Sequence, residues 1–515
     1  MINTDKIVNY SWLLSSEFKE PNGESLKLSE QEIDNFKKKN QIKFSININS
    51  LLNIIYIFAN DPWATQSYVQ KKIKTDKDTL KVLNKLIRES NYFQNLITKH
   101  GTATKYWQTI SPFCKKLESA IKNSFEYPMR IALYPGVSCM YYCGFCGRNQ
   151  KEKYPTNSIE NGNIIFKKIL SELDSTNSAI SISGGLEPLT NPKLGDIIEF
   201  ASNHGIRVPL ITNAHSLTEN YIKKNPKIMK LDSLRVSLYG IDEKSYEFIT
   251  TVKKSYKIVK KNCINFLKYR NEVNPKLKFG LNYIILKENI ENLPKLIDFV
   301  SEINSEVNNG TGINFLSIRD DFDTVTGISD EKDHDRKYHL NGLLTEQDRK
   351  KLIKIFQSFD SDERLKKIHI DYGYALHPVR MGILGKTLQK IDYKNMRKFG
   401  HTQLSVCVDL FGDVFLYREA GFLNRKGNEK FIIGRVTQEN SLKDVIENFL
   451  YNTNGVSNEK NDIRFMDPFD HVMTSLINQA EEDKNFGIPF EEGPIQNRIS
   501  TKKINLGNNW YEDAT

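Results

Sequence analysis

From about residue 51 to residue 118 the apolar side chains recur at helical spacing, as in Leu80, Val82, Leu83, Leu86 and Ile87. A helical N-terminal region is predicted there. After Tyr127-Pro128 the pattern switches to short alternating apolar runs separated by helical stretches. Strands are predicted at residues 130–134, 179–183, 208–212, 234–239, 279–286 and 313–318, and helices at 162–173, 194–203, 256–269 and 293–303. Six strand units in this order predict an α/β fold, a parallel sheet curled into a partial (β/α)6 barrel, too few for a closed eight-stranded barrel. Active-site groups then belong at the C-terminal ends of the strands.

Residues 320–341 are polar, acidic and without period, which predicts a surface loop or a lid leading into a helix at 346–359. A strand at 367–372 follows. Residues 404–408 turn through Gly412-Asp413 into 414–417 as a hairpin, so the C-terminal portion is small and α+β. The chain divides into an unassigned segment (1–50), the helical region (51–126), the partial barrel (127–320), an α+β extension that completes the active site (321–484) and an irregular tail (485–515).

Composition removes alternatives. With 39% hydrophobic and 26% charged residues over 515 positions, neither disorder nor a fibrous architecture fits. The apolar stretch around residues 51–58 is far short of the roughly 20 residues a membrane span needs, and the first residues carry no signal-peptide pattern. A cytoplasmic enzyme is expected. The net charge of +10 comes from scattered lysines with no basic arm, so no nucleic-acid partner is expected.

Three of the six cysteines fall within eight residues: Cys139, Cys143 and Cys146, spaced C-x3-C-x2-C on the loop after the first barrel strand. At this cysteine frequency such a triplet arises by chance with an expectation on the order of 10⁻³. A structural zinc is one reading, but tetrahedral zinc takes four ligands, and His100 and His204 are far away in sequence. Three thiolates on a short loop suit a [4Fe-4S] cluster whose fourth iron is left open for a ligand. Cys114, Cys263 and Cys407 stand alone and read as core thiols. The second motif is Ser183-Gly184-Gly185-Leu186-Glu187-Pro188 at the end of the next strand, where paired glycines allow close backbone approach and Glu187 offers an acceptor.

Together these residues resemble the radical S-adenosylmethionine (SAM) superfamily, with Phe145 as the aromatic before the last cysteine and Leu186 as an insertion into the usual G-G-E-P. Residues 133–136 (LYPG), 183–192 (SGGLEPLTNP), 237–240 (SLYG), 369–376 (HIDYGYAL), 412–422 (GDVFLYREAGF) and 465–467 (FMD) are similar to one branch, the ammonia-lyases acting on dTDP-4-amino-4,6-dideoxy-D-glucose. The resemblance spans about residues 51–483.

It implies that Cys139, Cys143 and Cys146 hold the cluster, with Phe145 beside it. Gly184, Gly185 and Glu187 would meet the SAM amino group, and Asn213 and Ser237 its carboxylate or ribose. Asp371, Glu419 and Tyr239 are the candidates for catalysis. Arg319, Asp320, Tyr372, Tyr374 and Arg418 are the candidates for the sugar nucleotide, with Asp321 and Arg380 as further polar positions. A reductant of the flavodoxin or ferredoxin type is implied. The expected reaction is loss of ammonia after hydrogen abstraction at C3; a radical SAM dehydrogenase or dehydratase on a related sugar nucleotide is the alternative, and a nucleic-acid modifying enzyme a remote one.

Overall fold

The computed structural model describes residues 23–60, 66–100, 114–148, 151–173, 178–307, 311–320, 344–372, 376–380, 400–452, 456, 460–467, 469–470 and 474. Tyr374, the polar stretch from residue 321 to 341 and the tail from residue 485 lie outside them.

Helices α1 (Gly23–Asn40), α2 (Ile48–Asn60), α3 (Gln66–Ile73), α4 (Lys77–Glu89) and α5 (Asn91–His100) build a hydrophobic cluster of their own. Leu80, Leu83, Leu86 and Ile87 line one face of α4 at helical spacing, and Asp76 caps it by accepting from the Thr79 amide at 2.8 Å. They meet Leu51, Leu52, Ile54, Ile55 and Phe58 of α2. Helix α1 contributes Ile33 and Phe36 to the same cluster, so part of the segment that the sequence left unassigned packs with the helical region.

Helix α6 (Cys114–Lys122) leads into the sheet. Strands β1 (Arg130–Leu133), β2 (Ala179–Ile182), β3 (Pro209–Thr212), β4 (Ser233–Leu238), β5 (Lys278–Ile285) and β6 (Phe315–Asp320) are the six expected, within two residues at most ends. Helices α7 (Ser158–Glu172), α8 (Leu194–Asn203), α9 (Glu219–Lys224), α10 (Glu243–Thr250), α11 (Ser255–Val273) and α12 (Leu296–Glu306) alternate with them. The C-terminal portion, after α13 (Glu346–Ser361), adds its strands to the same sheet: β7 (His369–Tyr372) lies parallel to β6, and β8 (Ser405–Val408) lies parallel to β1. Strands β9 (Asp413–Phe415) and β10 (Ile432–Arg435) finish that edge antiparallel, ahead of helix α14 (Leu442–Asn452). The order is β10-β9-β8-β1-β2-β3-β4-β5-β6-β7. With β7 and β10 at opposite edges the sheet stays open.

Alternation along each strand gives the sheet two unlike faces. Ile131, Leu133, Ile180, Ile182, Leu234, Val236, Leu316 and Ile318 enter the large core with Phe166 of α7, Ile197 of α8 and Phe266 of α11. On the other face the register aligns Ser237, Asn282, Ser317 and Asp371 in one polar row across β4, β5, β6 and β7. Toward β8 that face is covered, because Ala132, Tyr134 and Cys407 pack with Phe415, Leu416, Tyr417 and Phe422 as a separate cluster.

One buried cation locks the far end of the sheet. Arg270 of α11 is fully buried and donates to the carbonyls of Leu277 (2.7 Å), Gly312 (2.9 Å) and Thr311 and to Oδ1 of Asn314 (3.2 Å). Burial pulls its pKa down to about 10, so it stays charged at neutral pH. Arg270→Met keeps most of the volume and removes every donor, leaving buried acceptors unpaired at about 1–3 kcal/mol each. Thermal melting should show a stability loss of at least about 3 kcal/mol; a wild-type melting temperature would mean that water replaces the guanidinium.

Candidate active site at the C-terminal ends of the strands

The loop after β1 carries the three cysteines, all free, with Cys143 buried and Cys139 and Cys146 partly so. Several contacts fix the loop. The Tyr142 amide donates to the Thr250 carbonyl (3.0 Å), the Cys146 amide to the Cys143 carbonyl (3.1 Å), and Ser138 forms an antiparallel bridge with Glu187. Phe145 packs against Tyr239 with ring centroids 5.6 Å apart, and Tyr141 packs edge-on to Tyr239, Tyr246 and His215. Tyr239 is therefore part of the aromatic wall behind the loop. Burial pushes the Cys139 thiol up to about 11 and raises the Cys143 thiol well above its ordinary value, while the charge of Arg148 draws both down.

Among the described residues no three His, Cys, Asp or Glu side chains converge as they would on a single metal ion. A cubane makes no such demand, since each thiolate takes a different iron. The surroundings fit an anionic guest. Arg148, two residues beyond Cys146 and buried, has a guanidinium nitrogen, Nη1, with no hydrogen-bond partner. Asn213 directs Nδ2 toward the Cys139 sulfur at 3.8 Å and the Met140 sulfur at 3.3 Å.

The glycine motif is drawn onto this loop by packing. A Cβ on Gly136 would stand 2.5 Å from the Leu186 carbonyl, so only glycine lets the two loops pass. Gly184 and Gly185 have φ of +65° and +59° and lie on the Tyr134 ring; a Cβ on Gly184 would come within 2.4 Å of it. The Tyr134 hydroxyl donates to the Arg418 carbonyl at 2.9 Å, and Arg418 Nη2 returns to Ser183 Oγ at 2.8 Å. The 3-10 turn Arg418–Gly421, in the 412–422 motif, is thereby fastened to the glycine turn.

Glu187 is buried and accepts from the Leu189 amide (3.1 Å), Thr212 Oγ1 (2.5 Å) and the Asn213 amide (2.8 Å). Burial raises its pKa and these donors oppose the rise. Of roughly four acceptor positions on a carboxylate, three are used within the protein.

The remaining candidates fall into separate groups. Asp371 on β7 pairs with Arg319 of β6, and Ser317 Oγ lies 3.5 Å from its carboxylate. Arg319 belongs to the strand itself, which runs two residues further than the sequence indicates. Tyr372 is a correction. Strand alternation turns it away from Asp371 into the helix layer, where it packs on Phe356 of α13 at 4.6 Å and its hydroxyl faces Asp360. It cannot line the polar face. Arg380 lies over that same Tyr372 ring and pairs with Asp360 at 2.9 Å, which makes it a surface ion pair.

Asp320 ends β6, and its side chain is outside the described residues, as are Asp321 and Tyr374. Glu419 lies near buried Arg425, with Oε2 3.6 Å from Nη1, and Arg425 presses on the cysteine loop where a Cβ on Gly147 would stand 3.0 Å from its guanidinium. Ser237 and Asn282 sit side by side in the polar row, and Asn282 Oδ1 is buried with no partner. Sequence reasoning passed over Arg148, Arg425 and Asn282. Only Asn282 left a signal, the alternation of Gly280, Asn282 and Ile284 against Phe279, Leu281 and Tyr283.

Two glycines with nearly equal positive φ separate close packing from backbone strain. Gly184→Ala adds a clash with Tyr134, whereas a Cβ on Gly205 (φ +69°) would meet nothing within 4 Å. Thermal melts should place Gly184→Ala lower than Gly205→Ala by a difference worth about 1–3 kcal/mol. Equal losses would remove the Tyr134 contact as the reason for the glycine.

With this geometry in place, comparison with other proteins narrows the family. The pattern of the radical SAM superfamily matches residues 133–300. The dTDP-4-amino-4,6-dideoxy-D-glucose ammonia-lyase of Streptomyces venezuelae is 34% identical over 439 residues, 84% of this chain and 87% of its own length. Among solved structures, Streptococcus suis SuiB bound to S-adenosylmethionine aligns with a TM-score of 0.42 at 15% identity, over 78% of this chain and 81% of that one. BtrN in complex with AdoMet and 2-DOIA gives 0.27 at 11%, over 73% and 98%. At such TM-scores the structural likeness carries no argument about chemistry. The sequence likeness does: this chain is an enzyme of the radical SAM superfamily, whose members use a [4Fe-4S] cluster and SAM, and it belongs to the family of the Streptomyces ammonia-lyase.

Proposed function

We propose that this chain is a carbon–nitrogen lyase that deaminates dTDP-4-amino-4,6-dideoxy-D-glucose to dTDP-3-dehydro-4,6-dideoxy-D-glucose. The observation that carries the reading is the convergence of the cysteine loop, the glycine turn and the turn Arg418–Gly421 at one end of a sheet with a polar face. Held by Cys139, Cys143 and Cys146, a [4Fe-4S] cluster would supply the one-electron reduction that activates SAM for hydrogen abstraction at C3 of the sugar.

The chain's own part is to bind, orient and exclude water. Cys139, Cys143 and Cys146 hold the cluster, with the Phe145 and Tyr239 rings behind them. The backbone at Gly184-Gly185 together with Asn213 and Ser237 meets SAM, while Glu187 acts by fixing the loops that carry these groups. The row Ser237, Asn282, Ser317 and Asp371 is the surface on which the sugar lies. Asp371 accepts from the C4 ammonium, with Arg319 as its ion-pair partner in the protein. Arg418 holds the glycine turn through Ser183, and Glu419 supports Arg425 beside the cysteine loop. Strands β7 and β8 and the turn Arg418–Gly421 of the C-terminal extension complete the site, and a flavodoxin or ferredoxin in the cytoplasm serves as reductant. Among the described residues no helix is long and apolar enough to cross a membrane.

Ammonia leaves only if the C–N bond is held in line with the half-filled orbital at C3. Anaerobic turnover of the reconstituted enzyme with reductant, SAM and the 4-amino sugar should yield 5′-deoxyadenosine and ammonia in about equal amounts with the 3-keto product. A 3-keto sugar that keeps its nitrogen would replace this reading with a dehydrogenase.

A further inference from the structure

Arg148 is a buried charge beside the cysteine loop that the established motifs do not account for. Its residue is only 4% exposed, its Nη2 donates to the Tyr141 carbonyl, and its guanidinium stands 5.9 Å above the Tyr142 ring. Nη1 is buried and donates to nothing, and among the described residues no carboxylate pairs with the side chain. A guanidinium in such a place is costly unless an anion shares the site. The other buried arginines nearby are compensated: Arg418 has Ser183 and Asp467, and Arg425 has the Glu419 carbonyl and carboxylate. What surrounds Arg148 is the loop of Cys139, Cys143 and Cys146, which bends back so that Tyr141, between the first two cysteines, is its hydrogen-bond partner.

We infer that Arg148 is the built-in counter-charge of the cluster, placed to stabilise its one-electron-reduced form. This rests on the cofactor assignment and extends it to a residue outside the signature. Three thiolates around an oxidised cubane leave one net negative charge, and the electron taken from a low-potential iron–sulfur or flavin protein makes it two. In a buried loop that added charge is resisted by poor solvation, and a fixed cation nearby offsets the penalty. Tyr142 and the Tyr141 carbonyl hold the guanidinium in place, so little rearrangement accompanies the electron. For unit charges on the order of 10 Å apart in an interior of effective dielectric about 20, the effect on the reduction equilibrium is roughly tenfold or a little more. Tenfold for a one-electron couple is about 59 mV.

The test is an EPR-monitored redox titration of the reconstituted holoenzyme without SAM or sugar, on wild type, Arg148→Gln and Arg148→Lys, each with iron and sulfide content measured. The expected result is a full cluster in all three, a midpoint potential about 59 mV or more lower in Arg148→Gln, and a return most of the way to wild type in Arg148→Lys. SAM affinity for the oxidised enzyme is measured in parallel. An unmoved potential in Arg148→Gln overturns the inference, and if SAM affinity falls instead, the orphan donor belongs to the SAM carboxylate. Loss of the cluster in both variants also overturns it, leaving Arg148 as an assembly residue. Because no sugar is present, failure of the lyase reading would leave this result untouched, and absence of any cluster in wild type would defeat the cofactor assignment instead.

Discussion

The buried carboxylate of Glu187 is the fixed point on which the site depends. Its own amide bridges to the loop after β1, and its two oxygens take the Leu189 amide, the Thr212 hydroxyl and the Asn213 amide. Three successive strand ends are tied through one residue. A carboxylate at this depth pays a desolvation cost that only such a set of donors offsets, and losing any of them would leave charge or polar groups unpaired. The result is geometric: Asn213, held by its amide, places its side chain beside Cys139, so two groups far apart in sequence share one small volume.

Around that point the sheet divides its labour by face. The apolar face is covered by helices and supplies the stability of the barrel. The opposite face is lined by the row from Ser237 to Asp371 and, at the β1 and β8 side, is closed by Tyr134 and the turn around Arg418. A ligand reaching this face from the strand ends would meet the cysteine loop at one side and the Arg319–Asp371 pair at the other.

Much of this was legible in the sequence because it is local. Cysteine spacing, the glycine pair and the apolar periods of β1 to β6 are each contained in a few consecutive residues. Contacts that join distant segments were not. Glu187 reads as an acceptor for a ligand, yet its acceptors are mostly used by Thr212 and Asn213, some 25 residues on. Asp371 and Tyr372 read together as site residues although neighbours on a strand face opposite ways, and only the pairing of β7 with β6 shows which one points inward. Helix α1 was missed because its sequence is mostly polar, with Ile33 and Phe36 as its few buried apolar anchors. The orphan donor of Arg148 has no sequence signal at all.

In the proposed function the three cysteines hold a cluster with one iron left for SAM beside Gly184-Gly185 and Asn213. The most direct measurement is electron–nuclear double resonance on the reduced, reconstituted enzyme with SAM carrying ¹⁵N in the amino group and ¹⁷O in the carboxylate. Hyperfine couplings to both labels, on a signal that changes when SAM is added, are the predicted result. A cubane signal that SAM leaves unaltered, with neither coupling, would contradict the account.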